Sequence, residues 1–61
     1  MKILHFANNS ECEIRVLKET KKYLTFLALG NYMKYRLNKE TGEVQDNTYH
    51  RTIKGLYISE A

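Results

Sequence analysis

Apolar and polar residues alternate along much of this chain, and the alternation predicts β-strands. The segments at residues 12–18 (CEIRVLK), 23–29 (YLTFLAL) and 32–37 (YMKYRL) each carry apolar side chains at every second position. Successive side chains of a strand point to opposite faces, so each segment presents one apolar face to a core. Residues 2–6 and 43–45 are predicted to form shorter strands.

A β-hairpin is predicted around Gly30-Asn31, because glycine at the first central position suits a two-residue type II′ turn. A slip of one residue would mix the apolar and polar faces of this hairpin, so the pattern specifies its register. The predicted pairs are Leu29 with Tyr32, Ala28 with Met33, Leu27 with Lys34, Phe26 with Tyr35, Thr25 with Arg36 and Leu24 with Leu37.

The strand before this hairpin is predicted to join the same sheet. A three-residue loop, Glu19-Thr20-Lys21, keeps the apolar residues of the two strands on one face. The resulting pairs are Val16 with Leu24, Ile14 with Phe26 and Cys12 with Ala28.

A helix is the alternative for residues 10–29. Ser10-Glu11-Cys12-Glu13 has the pattern of a capping box, and Gly30 suits the position just after a helix. Lys21 would interrupt the apolar face of that helix, and the β-branched and aromatic content favours strands.

The last third of the chain is ambiguous. Gly42 suits the left-handed position after a type I turn. The segment YHRTIKGLYIS (49–59) fits either a short helix near residues 47–54, capped by Asp46 or Asn47, or a continuous strand. The predicted fold is therefore mostly β: a single domain, residues 1–61, forming a small antiparallel meander or partly open barrel of about four to five strands, with the short helix as an option.

Composition limits what such a domain can do. The chain has 61 residues, a net charge of +3 and one cysteine, so an intramolecular disulfide is excluded. No apolar run is long enough to span a membrane as a helix, and the first residues lack the features of a secretory signal. We expect a cytoplasmic protein with no membrane association.

Catalytic and metal-binding residues are scarce. His5, His50 and Cys12 are too few for a structural zinc site. A Cys–His dyad is disfavoured because Cys12 is predicted to point into the core, and nothing fixes a geometry for His50, Arg51 and Asp46 as a phosphodiester-cleaving set. We therefore expect a protein that is not an enzyme and binds no cofactor.

Positive charge is concentrated in the middle of the chain, where residues 15–39 contain seven Lys or Arg and one Glu. On the face of the sheet opposite the core, the predicted rows are Glu13, Leu27 and Lys34, then Arg15, Thr25 and Arg36, then Leu17, Tyr23 and Asn38. The predicted binding residues are Arg15, Lys18, Lys21, Lys22, Tyr23, Leu27, Leu29, Tyr32, Lys34 and Arg36. If the final segment covers this face instead, Tyr49, Ile53, Leu56 and Tyr57 become the second half of the core.

Two functions of different class follow from this surface. Exposed leucines and Tyr32 favour a protein-binding regulator or inhibitor, and the small Lys/Asn/Tyr-rich chain is typical of accessory proteins encoded by phages and mobile elements. Basic residues interleaved with aromatic rings favour a module that binds single-stranded nucleic acid. A subunit of a larger assembly is a third interpretation, and a homodimer could bury the same leucines.

Overall fold

Seven antiparallel strands form the structure, a computed structural model that describes residues 2–60. The described residues contain no helix. The strands are β1 (Lys2–His5), β2 (Glu11–Glu19), β3 (Tyr23–Ala28), β4 (Lys34–Asn38), β5 (Val44–Asp46), β6 (Thr52–Ile53) and β7 (Tyr57–Glu60).

All seven strands belong to one curled sheet, an antiparallel half-barrel with the order β6-β5-β4-β3-β2-β1-β7. The first six strands form a meander in which each strand pairs with the next. The last strand, β7, then returns to pair with β1, which places Lys2 opposite Glu60. The predicted mostly-β class is confirmed, whereas the predicted number of strands, four to five, is too low.

The helix predicted near residues 47–54 is wrong. Residues 47–50 form a hairpin loop. The residues on either side of it are paired, because the Asp46 N–H donates to the Arg51 carbonyl at 3.0 Å. The Asp46 carboxylate does accept the N–H groups of Thr48 and Tyr49, as a helix cap would. Asp46 therefore does bond to the backbone that follows it, as the prediction required, but such side-chain hydrogen bonds stabilise turns as well as helix starts. The strand before this loop, β5, overlaps the short strand predicted at residues 43–45. The strand after it, β6, has two residues, too few for alternation to reveal it.

The core lies on the concave face of the half-barrel. Alternate residues of β3 and β4 point inward, and the rings of Phe26 and Tyr35 pack with centroids 5.8 Å apart. Burying each large apolar side chain contributes roughly 1.5–3 kcal/mol, which makes this face the main source of stability. The buried residues are Leu4, Leu24, Phe26, Ala28, Tyr35 and Val44, and those packed against them are Phe6, Cys12, Ile14, Leu37, Ile53, Leu56 and Ile58.

The register predicted between β3 and β4 is confirmed from Tyr23 opposite Asn38 to Leu27 opposite Lys34. The predicted type II′ turn is wrong. Residues 29–32 form a four-residue loop, with hydrogen bonds that link Ala28 N to Met33 O (2.9 Å) and Tyr32 N to Ala28 O (2.7 Å). Tyr32, at φ 56°, is the left-handed residue of this loop. The predicted pairing of Leu29 with Tyr32 is lost because both residues lie in the loop.

The register predicted between β2 and β3 is wrong by three residues at Lys18 and Glu19 and by two residues from Val16 to Ile14. The alternative helix over residues 10–29 is also wrong. The observed pairs are Ile14 with Ala28, Val16 with Phe26 and Lys18 with Thr25, not Val16 with Leu24, Ile14 with Phe26 or Cys12 with Ala28. A β-bulge between Val16 and Lys18 absorbs one extra residue, Leu17. A shift of two residues keeps Ile14 and Val16 on the core face, so alternation alone could not detect it, whereas Lys18 changes face at the bulge.

The final segment closes the concave side of the sheet. Leu56 and Ile58 pack against the core, and the connector between β6 and β7 approaches the loop that follows β1. A Cβ atom on Gly55, which has a φ of +84°, would lie only 2.6 Å from the Cβ atom of Ala7. Within residues 2–60, all strands belong to this one sheet and none packs across its convex face. Of the four residues predicted as a second half of the core, only Ile53 and Leu56 pack against it.

Candidate functional site

The convex face carries the residues predicted to bind a partner. Its rows follow the observed strand pairing, because residues opposite each other in neighbouring strands point to the same side. One row contains Arg15, Leu27 and Lys34, and the next contains Lys18, Thr25, Arg36 and Gln45. The predicted rows are corrected here: the observed register places Arg15 beside Leu27 rather than Thr25, and Lys18 takes the place predicted for Arg15.

The predicted binding residues divide into two groups along the hairpin. The loop that carries Lys21 and Lys22 and the loop that carries Tyr32 lie at opposite ends of β3, a strand about 17 Å long at roughly 3.4 Å per residue. We call one group the basic end; it comprises Lys18, Lys21, Lys22, Tyr23 and Arg36. We call the other the apolar end; it comprises Arg15, Leu27, Leu29, Tyr32 and Lys34, together with Met33, which the sequence pattern had assigned to the core.

Part of the basic end is occupied by contacts within the chain. The guanidinium of Arg36 lies over the ring of Tyr23, 4.5 Å from its centroid, and Arg36 Nε donates to Gln45 Oε1 at 2.9 Å. One face of the Tyr23 ring is therefore already covered by a cation. Nearby, Lys39 Nζ lies 2.6 Å from Glu19 Oε2, and this hydrogen bond lowers the pKa of Glu19.

The apolar end is more exposed. Leu29 is 39% exposed, Met33 50% and Tyr32 75%. Met33 had been predicted to face the core opposite Ala28. The Ala28 N–H does donate to the Met33 carbonyl, but Met33 precedes β4 and its side chain is half exposed. Its position next to a turn was the one sequence signal that could have warned of this exposure.

The loop at the apolar end is braced from within. Asn31 Oδ1 accepts the N–H of Met33 at 3.0 Å, and Asn31 Nδ2 donates to the Tyr35 hydroxyl at 3.2 Å. Behind the loop, Gly30 lies close to Cys12, where a Cβ atom on the glycine would be 3.0 Å from the Cβ atom of the cysteine. Tyr32 is therefore presented by an ordered loop that rests on the sheet.

Three hairpin loops of the sheet share one backbone design. In each, the fourth loop residue donates its N–H to the carbonyl of the last residue before the loop and has a positive φ. The loops are residues 29–32, 39–42 and 47–50, and their left-handed residues are Tyr32 (φ 56°), Gly42 (φ 78°) and His50 (φ 58°). Glycine adopts this conformation freely, whereas a side chain with a Cβ costs roughly 1–2 kcal/mol there. The prediction of a left-handed Gly42 is confirmed.

The residues considered for phosphodiester chemistry have other partners. The Asp46 carboxylate accepts backbone N–H groups of its own loop, that of Tyr49 above all, and these bonds lower the pKa of Asp46. Arg51 lies over the ring of Tyr49 at 5.3 Å. Cys12 is opposite Leu4 in the neighbouring strand and packs with it against the core. His5 follows Leu4 in β1, so the side chains of His5 and Cys12 point to opposite faces of the sheet.

Comparison of the chain with protein-family models, with curated proteins and with solved structures gives no match. Within residues 2–60, no helix is long and apolar enough to cross a membrane. The same residues contain no group of three or more His, Cys, Asp or Glu side chains that could hold a metal ion.

Proposed function

We propose that this protein is a small regulator or inhibitor that acts by occupying a surface of a partner protein, with the apolar end of its convex face as the contact. The observation that carries the proposal is Tyr32, a bulky residue held in a left-handed conformation with three quarters of its surface exposed. Strained backbone positions concentrate at functional sites, because a strain that serves folding poorly is retained when the side chain is needed.

The surroundings of Tyr32 suit a protein contact. Leu29 and Met33 flank it as exposed apolar side chains, and Arg15 and Lys34 lie one row away along the strands. Interfaces of this kind combine aromatic and apolar anchors at the centre with a charged rim. Within the described residues, no ion pair engages Arg15, Lys34 or Glu13, whose carbonyl accepts the Leu29 N–H. The preferred partner therefore has an apolar cleft with charged residues of both signs at its margin.

The further description as a phage-like, cytoplasmic accessory protein, whose regulatory action on its partner involves no catalysis, rests on size and composition. A chain of 61 residues has little room for a deep substrate pocket, whereas it can cover a patch of a larger protein. The proposed mechanism is accordingly steric: the domain binds and blocks, and needs no cofactor.

A photocrosslinking amino acid tests this proposal. We would place p-benzoylphenylalanine at position 32 and, as a matched control, at position 49, since Tyr49 is 74% exposed in the sister loop of residues 47–50. In cells of the source organism, position 32 should yield one dominant adduct that resists nuclease, and position 49 should not. Equal crosslinking from both positions, or nucleic acid as the main adduct of position 32, would overturn the assignment.

Single-stranded nucleic-acid binding is the second candidate, and the basic end favours it. The side chains of Lys18, Lys21 and Lys22 form no ion pair within the described part of the chain. Binding through phosphates falls steeply with salt. Fluorescence anisotropy with labelled single-stranded DNA and RNA at two salt concentrations would support it if Lys21→Glu and Lys22→Glu abolish binding and Lys34→Glu does not.

Self-association and a role in a larger assembly use the same leucines in a different way. Leu27 and Leu29 could pack against a second copy of the chain, which would make the apolar end a dimer interface. Sedimentation equilibrium distinguishes these readings, because a monomer at high protein concentration excludes the homodimer.

A further inference from the structure

The strongest unexplained arrangement lies on the convex face of the other half of the sheet, where β2, β1 and β7 adjoin. His5 Nε2 is 2.6 Å from the hydroxyl oxygen of Ser59. On the other side of the ring, His5 Nδ1 is 3.3 Å from Glu11 Oε2. A serine, a histidine and a carboxylate are thus aligned in the order that nucleophilic acyl transfer requires.

The strand register produces this alignment. His5 is opposite Glu11 on one side and opposite Tyr57 on the other, while Ser59 lies two residues further along β7 on the same face. The Tyr57 ring stacks on the imidazole with centroids 4.4 Å apart and planes within 6° of parallel. The histidine is therefore fixed by a stacked ring and by two polar neighbours, each from an adjacent strand.

The polar neighbours of the imidazole suit one of its two neutral tautomers. A carboxylate can only accept, so the contact with Glu11 favours the neutral tautomer that carries its hydrogen on Nδ1. In that tautomer Nε2 is a free acceptor and the Ser59 hydroxyl donates to it, whereas the other tautomer reverses the direction of this hydrogen bond. The tautomer with its hydrogen on Nδ1 is the one in which a histidine can take a proton from a serine as the serine attacks.

We propose that Ser59 is an activated nucleophile that accepts acyl groups from small activated esters. The Ser59 Oγ atom forms a bond to the carbonyl carbon, and its proton passes to His5 Nε2. The tetrahedral intermediate collapses with loss of the leaving group as its alcohol or phenolate. Glu11 stabilises the imidazolium in the meantime, and water later hydrolyses the acyl-serine with His5 as the base, releasing the carboxylic acid.

The site sets a limit on the substrate. It lies on an open sheet face, with the Glu11 side chain 63% exposed, so water solvates the developing oxyanion. Fixed oxyanion donors supply a large share of the rate in hydrolases that cleave amides. The expected substrates are therefore esters with good leaving groups, and not peptides. This reactivity is independent of the partner-binding function proposed above.

The experiment is acetylation of the intact chain by 4-nitrophenyl acetate, followed by peptide mass spectrometry. The chain's other serine, Ser10, lies in an exposed loop and serves as the internal reference. General-base assistance contributes about 100-fold or more, so Ser59 should be acetylated at least about 100-fold faster than Ser10. Ser59→Ala should remove this labelling, whereas Ser10→Ala should leave it unchanged.

Two further variants separate chemistry from folding. Glu11→Gln keeps the hydrogen bond between His5 and Ser59 and should lower the rate of Ser59 acetylation by about tenfold or more. In His5→Ala, added imidazole should restore labelling of Ser59, with the fold checked by amide NMR spectra. Labelling of Ser59 no faster than that of Ser10 in the folded wild-type chain would overturn the proposal, as would full labelling in unrescued His5→Ala.

Discussion

The loops at residues 29–32 and 39–42 have the same backbone hydrogen bonds but opposite surface chemistry. The first presents Tyr32 at its left-handed position and is flanked by exposed Leu29 and Met33. The second has Gly42 at that position, and Asn38 Oδ1 accepts two N–H groups of a polar loop. The loop at 39–42 reverses the chain at low cost in backbone energy, whereas the loop at 29–32 retains a strained aromatic residue at the surface. This difference is the reason for the proposal that the first loop serves to display Tyr32.

Replacing the displayed residue gives the largest expected effect. Tyr32→Gly removes the ring and relieves the backbone, so affinity for the crosslinked partner should fall by about 2 kcal/mol or more, roughly 30-fold. The free energy of unfolding should stay within about 1 kcal/mol of wild type or rise. Affinity is measured by titration with the purified partner and stability by urea unfolding.

The control for this change is His50→Gly, which alters the equivalent left-handed position of the third loop. It should affect stability in the same direction and leave affinity unchanged. If both variants lost affinity equally, the effect would come from the fold as a whole and not from the apolar end.

The reverse exchange tests the strain itself. Gly42→Tyr places an aromatic residue in the loop at 39–42, where a Cβ atom on residue 42 would meet no atom within 4 Å. The added Cβ atom meets no neighbour, so the loss in the free energy of unfolding should reflect mainly the left-handed backbone, roughly 1–2 kcal/mol. A loss below about 0.3 kcal/mol would show that a side chain is tolerated there and would remove the argument from strain.

The braces of the two loops provide a third comparison. Asn31→Ala removes the contacts to Met33 N and the Tyr35 hydroxyl, and Asn38→Ala removes the contacts to Glu40 N and Thr41 N. Each should lower the free energy of unfolding by about 1 kcal/mol. Only Asn31→Ala should also weaken partner binding, because it loosens the loop that holds Tyr32. Equal binding by the two variants would contradict a need for an ordered loop.

The smallest effect concerns pH and the loop at 47–50. Backbone hydrogen bonds, that from Tyr49 first, lower the pKa of Asp46 below its ordinary value near 3.8. The stabilisation is therefore fully present above that value and is lost as the pH falls through the lower, folded pKa. Asp46→Asn should flatten the acid side of a stability profile measured by urea unfolding between pH 2 and 6. An unchanged profile would assign acid sensitivity to Glu19 and Glu60, whose pKa values are lowered by Lys39 and Lys2.

The sequence was most informative where a strand had several alternating residues and a short connection. The pairing of β3 with β4 was predictable because any odd slip exposes Phe26 or Leu24. The pairing of β2 with β3 was not, since a two-residue shift with a bulge at Leu17 keeps the apolar residues before the bulge on their face. The helix near residues 47–54 was inferred from Asp46, whose capping chemistry is shared by helices and turns.

The candidate sites show a similar limit. The ten predicted binding residues do lie on or beside the convex face, but only the strand register separates them into a basic and an apolar end. The alignment of His5 with Ser59 joins residues 54 positions apart and depends on β7 pairing with β1. No local pattern announces such a pair, because neither residue is unusual within its own segment.

The return of β7 to β1 has a consequence for how the domain can be connected to other proteins. Lys2 and Glu60 are opposite each other in neighbouring strands, about 5 Å apart at their Cα atoms. The first and last strands therefore begin and end side by side. The sheet can be inserted into a surface loop of a host protein without stretching the sheet or the loop. A short peptide joining these two points would form a cyclic chain, and closing a loop of about 60 residues would stabilise the fold by about 4 kcal/mol through the unfolded state. In such a cyclic chain, any of the hairpin loops at 29–32, 39–42 and 47–50 could be cut to give new termini.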